Sequence, residues 1–191
     1  EANGYFRVAA ALAPDDVLVN TAWGELFLEK YNKPDAAKSF QAALRIDAEW
    51  VPARLGLART IVDENPPLAR SLVEKVLATN PNSVPAHLLL AELALDDGKR
   101  QDARASIQKA LAINPASFDA KALGAAIDFL EGRNTEFLAT VAEVVKANPL
   151  FADAYRVAGE HAARNYRFDE AAELTRRAIM VDRESPRAWA E

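Results

Sequence analysis

The sequence predicts an all-α chain, a solenoid of antiparallel helix pairs laid in series. Three observations carry that prediction. Pro81, Pro115 and Pro149 stand 34 residues apart, and the segments around them read KVLATNPNSVPAHLLL, KALAINPASFDAKALG and EVVKANPLFADAYRVA. Each is an apolar run, an Asn-Pro break and a second apolar run whose residues recur at helical spacing. The chain is also half apolar and alanine-rich, with only seven glycines in 191 residues and short β-branched runs, which favours helix over sheet.

Carried in both directions, the proline register lands on Ala48, Pro14 and Arg183. It divides 1–191 into a single array. Residues 1–16 form the second helix of a partial repeat, 17–50, 51–83, 84–117, 118–151 and 152–185 are full repeats, and 186–191 start a further one. Each repeat reads as two helices. In 84–117 the first half, VPAHLLLAELALDDG, stops at Gly98, and the second, KRQDARASIQKALAINP, ends ahead of Pro115. The residue before a proline is pushed out of the α region, and Asn80, Asn114 and Asn148 fill that slot. Ser83, Ser117 and Ser185 follow where the next N-cap belongs.

Small residues recur in register. Gly24, Ala58, Ala91, Ala125 and Gly159 stand on first helices; Ala36, Ala69, Ala103 and Ala171 stand on second helices. Paired helices approach closely only where facing side chains are small, and enlarging one costs roughly 1–3 kcal/mol. Phe27, Phe40, Leu57, Leu90 and Ile107 fill the space between, each worth about 1.5–3 kcal/mol when buried. Further matches are Ala43 and Leu44 in 17–50, Val73 and Leu77 in 51–83, Ala110 and Leu111 in 84–117, and Tyr155 and Ala178 in 152–185. Ala2, Phe6, Ala9 and Pro14 match a second helix, and Ser185, Pro186 and Trp189 match the opening of a first one, so the chain reads as a segment of a longer array. Over this whole length the pattern resembles the tetratricopeptide repeat (TPR), with its W-x2-L-G-x2-Y, A-x3-F and P signature. The resemblance implies a right-handed superhelix, the α-α superhelix, whose first helices line a concave face that takes peptides.

Two repeats depart. In 118–151 Phe137 and Val144 replace alanines and Gly124 stands in a leucine slot. That is either a volume-conserving exchange of large for small or a widened helix pair with a pocket. Repeat 51–83 is one residue short, and its turn, DENPPLA, uses Asn65 and Pro66–Pro67 in place of glycine, a stiffer turn. Trp50 is read as a hydrophobic staple on the next helix or as an interface anchor.

Chemistry finds no foothold. With no cysteine there is no disulfide, thiolate nucleophile or Cys-based zinc site. His87 and His161 are 74 residues apart without H-E-x-x-H, so no metal is expected. Phosphate loops and G-x-S-x-G are absent, so neither catalysis nor a cofactor is expected. The net charge of −5 is interleaved along the chain, and without a basic stripe no nucleic-acid partner is expected. No apolar stretch approaches the ~20 residues of a membrane helix, so no membrane insertion is expected. No signal peptide is visible, and the first residue is Glu1, so the natural start is expected upstream. Arginine over lysine in an alanine-rich chain reads as bacterial usage.

A binding surface remains. The positions matching the family's peptide groove are Leu18, Thr21, Glu25, Leu28 and Glu29; Leu55, Arg59, Val62 and Asp63; Leu88, Leu89, Glu92, Leu95 and Asp96; Ala122, Leu123, Ala126, Phe129 and Leu130; and Arg156, Glu160, Ala163 and Arg164. The chaperone-tail type of groove clamps a carboxylate with lysine and asparagine; those slots here hold Thr21, Glu25, Gly56, Pro85 and Leu89. The groove is expected to be acidic over three repeats, apolar in the fourth and basic at Arg156 and Arg164, matching a protein or peptide with a basic-apolar portion and an acidic end. Two alternatives stand beside it. One is a docking or regulatory arm of an enzyme whose catalytic domain lies elsewhere. The other is a spacer or self-association module acting through exposed repeat ends.

Overall fold

The computed structural model describes residues 13–184, together with Gly4 and Val8. The expectations for Ala2, Phe6 and Ala9, and for 185–191 with Trp189, lie outside the described residues. From Val17 to Val181 the chain is a run of ten helices: α1 (Val17–Glu29), α2 (Lys33–Ile46), α3 (Val51–Ile61), α4 (Pro66–Thr79), α5 (Val84–Asp96), α6 (Arg100–Ile113), α7 (Phe118–Leu130), α8 (Asn134–Ala147), α9 (Asp153–Arg164) and α10 (Phe168–Val181). No strand occurs among the described residues. The chain divides into two compact units, residues 1–93 and 94–191.

The turns within pairs share one device. Tyr31, Gly98, Gly132 and Tyr166 hold the same repeat position and all have positive φ, at 56°, 72°, 75° and 61°. That region favours glycine, because a Cβ crowds the following carbonyl. The shorter turn before α4 avoids it: Asn65 accepts from the Leu68 N–H at 3.1 Å, with prolines in the first helical turn.

The turns between pairs share another. Asp47, Asn80, Asn114, Asn148 and Asp182 each end a second helix, and each side-chain oxygen accepts from the N–H two residues on, at 2.9, 3.1, 3.1, 3.3 and 3.0 Å. This Asx turn forms with or without a following proline. It explains why the register persists through Ala48 and Arg183.

In the first unit Phe40, fully buried, sits between Gly24 and Gly56, where a Cβ on either glycine would fall inside the ring's van der Waals envelope. Trp50 packs on this cluster and its indole N–H donates to the Thr21 hydroxyl at 3.1 Å. It therefore ties α1 to the start of α3. In the family's tryptophan slot, Asn20, Arg54 and His87 make a recurring latch. Each side-chain nitrogen bonds the carbonyl six residues back, on Pro14, Ala48 and Pro81, at 2.9, 2.6 and 2.8 Å.

The second unit is built differently at those positions. Lys121 reaches Glu143 at 2.6 Å, and Tyr155 packs edge-on to Phe137 at 6.2 Å between ring centroids. Phe137 is 2% exposed and also meets Phe129 at 5.3 Å. It does not fill the space at Gly124, whose added Cβ would meet only Ile107, at 3.8 Å. The expected volume-conserving exchange is thus corrected: the large and the small residue face different neighbours.

Candidate functional site

On α1, Leu18, Glu25 and Glu29 fall at i, i+7 and i+11, one face of a helix. Leu18 is 61% exposed, and Glu29 is exposed on the same face, three turns further on. Glu25 pairs with Arg59 of α3, and Asp63 after α3 pairs with Lys33 at the start of α2. Leu88 is half-buried and Glu92 exposed on α5. Around α1 and α3, Glu25 and Asp63 are thus matched by Arg59 and Lys33, and Glu29 and Lys30 are both exposed at the end of α1.

Seven of the expected groove residues, Thr21, Leu55, Leu89, Leu95, Ala122, Leu123 and Ala126, are buried in the core. Thr21, 8% exposed, donates to the Val17 carbonyl at 2.7 Å and receives Trp50. Leu55 packs with Ala58, Val73 and Leu89, and Leu123 is buried in α7. Helix-pair packing claims these positions, so they offer nothing to a ligand. At Phe129 the Arg167 guanidinium lies over the ring at 4.7 Å, and the same side chain donates to the Phe129 carbonyl at 3.4 Å.

The second unit's charges compensate one another. Arg156 donates to Asp153 at 2.6 Å and Glu160 at 3.0 Å; Arg164 donates to Glu160 at 2.7 Å and pairs with Asp96. Two guanidiniums sit among three carboxylates, so this face is no cationic end. His161 lies buried beneath the network. Burial pushes its imidazole below the ordinary range; Glu160 and Asp96 pull it up, Arg164 and Arg156 down.

Between α8 and α10 lies a pocket of about 400 Å³; the sequence offered a pocket within the widened 118–151 helix pair as an alternative to repacking, and this one is lined by that repeat together with α10 of the next. Its signal was Phe137 in an alanine slot. Among the described residues, no group of three or more metal-ligating side chains is placed to hold an ion, and no helix is long and apolar enough to cross a membrane.

Two family models described as "Tetratricopeptide repeat" match residues 61–127 and 132–188, together roughly two thirds of the chain. No curated protein matches it at a significant level. Among solved structures, TTC0263, a thermophilic TPR protein of Thermus thermophilus, is similar with TM-score 0.72 and 17% identity over 92% of this chain and 96% of that one. A TPR protein from Parabacteroides merdae is similar at 0.73 and 18% over 97% and 73%. YrrB, described as a TPR protein with an unusual peptide-binding site, is similar at 0.53 and 21% over 97% and 96%. These likenesses are of fold, an α-α solenoid of helix pairs.

Proposed function

The chain belongs to the tetratricopeptide-repeat family, and on that premise we propose that it holds a segment of a partner protein along the first-helix face of its N-terminal unit. Repeats of this family support protein-interaction scaffolding, and this chain is read as a non-catalytic one whose repeats are 17–50, 51–83, 84–117, 118–151 and 152–185. One observation carries the proposal: an exposed leucine, Leu18, shares a helix face with Glu25 and Glu29. An exposed large apolar side chain on a helix face that also carries carboxylates suits a partner that brings an apolar contact and a cation. The acidic end of the partner expected from the sequence is dropped, because Arg156 and Arg164 are already paired.

The test compares pull-downs from native lysate by the wild-type chain and by Leu18→Asp/Glu29→Lys, with helix content matched by circular dichroism. A partner identified by mass spectrometry, lost with the double variant, supports this face as the site. A partner retained equally by both sinks it.

A further inference from the structure

One register position of the first helices is held by Thr60, Leu93, Ile127 and His161 on α3, α5, α7 and α9, and every one of these is buried. Leucine and isoleucine suit such a place, and Thr60 settles its hydroxyl on the Leu57 carbonyl at 2.6 Å. His161 does neither. It is 5% exposed, and its imidazole makes no hydrogen bond among the described residues. A buried polar group without a partner works against the packing around it.

That packing closes a face. α9 lies along α7, and Ala122 and Ala126 of α7 are shut off from solvent in the slots where α5 has half-buried Leu88 and exposed Glu92. Beyond this contact the end of α9 is tied by the pair Arg164–Asp96, which reaches the end of α5 with both side chains partly exposed. Water screens such a pair, so it holds weakly.

The charges acting on His161 come from its own helix, Glu160, Arg164 and Arg156, and from Asp96. Around α9 the neighbouring helices contribute apolar residues: Ala125 and Ala126 from α7, Phe137 and Val141 from α8, Leu174 from α10. On α7, Asp119 stands in the first turn and Asp128 is engaged by Arg104 and Arg133. On α10, Glu170 is engaged by Arg167 and Glu173 by Arg177.

We infer that α9 is a pH-sensitive latch on the first-helix face of the second unit: protonation of His161 releases its end from α7 and uncovers Ala126. The device stands apart from the N-terminal face proposed above. In the closed form burial, above all, holds the imidazole below its ordinary range. Lifted into water the ring takes a proton near the ordinary value of 6.5, so falling pH favours the open form.

The chain has no cysteine, so Ala126→Cys supplies a single thiol whose reaction with dithiodipyridine reports opening. Rates are taken relative to Met180→Cys, an exposed thiol of the same unit, at each pH. From about pH 7 to about 5 the relative rate should rise by up to about tenfold per unit, and His161→Leu should abolish the rise. Asp96→Asn should raise the rate about two- to fivefold at about pH 7. Ala110→Cys, buried in α6, should stay protected throughout, which separates lifting of α9 from unfolding of the unit. Ala122→Cys serves as the probe if Ala126→Cys does not fold. The inference is overturned if the relative rate is indifferent to pH, if its rise survives His161→Leu, if Asp96→Asn leaves it unchanged, or if Ala110→Cys reacts as fast as Ala126→Cys.

Discussion

Asp47 shows how one side chain sustains the repeat. No proline follows it, yet its carboxylate bonds the Glu49 N–H at 2.9 Å and closes the turn. Asp47→Ala is expected to lower stability by about 1 kcal/mol in urea denaturation, and Asn114→Ala by less, since Pro115 still blocks helix continuation. An equal loss at both would show that proline contributes nothing to these turns. His161 makes a pH prediction. Its folded pKa is depressed, chiefly by burial, so the unfolded chain binds the proton more readily. Its stabilising contribution is full above the ordinary value of 6.5 and fades as pH falls from there through the depressed folded value. The urea midpoint of His161→Gln should therefore fall less than wild type between about pH 7 and 5; parallel falls would acquit this histidine.

The helices make their own test through three glycines given one substitution. Gly24→Ala drives a methyl into Phe40 and should cost about 1–3 kcal/mol. Gly132→Ala forces a Cβ into left-handed backbone at a φ of 75° and should cost about 1 kcal/mol. Gly124→Ala adds a methyl to a helix interior with room for it, and should gain about 0.5–1 kcal/mol. Thermal melts of the three separate the mechanisms, and a destabilised Gly124→Ala would mean that Ile107 leaves no room. Small residues at Gly24 and Gly159 were legible because close helix approach demands them. Gly124 was not, since its neighbours are set by which face of α7 meets α6. The proline register likewise located the turns but hid their common cause: the Asx bond needs only an Asn or Asp, and Asp47 and Asp182 carry no proline to mark them.

At the scale of the whole molecule the net charge of −5 bears on association. A cationic partner drawn to Glu25, Glu29 and Asp63 should associate markedly more slowly as salt rises from about 0.05 to 0.5 M, since screening shortens the Debye length to a few ångströms. Stopped-flow association rates check this, and rates indifferent to salt would leave only the apolar contact at Leu18. By itself the sequence determined what recurs along the chain: helix pairs, their ends, their small-large alternation and the family. These follow from local backbone preference and from a period that every repeat restates. Tertiary structure decided which side chains remain for a partner. Thr21, Leu55 and Leu123 were spent on packing, and Arg164 was paired with Asp96, 68 residues away. Such pairings depend on which faces meet after folding, and no spacing in the sequence encodes them.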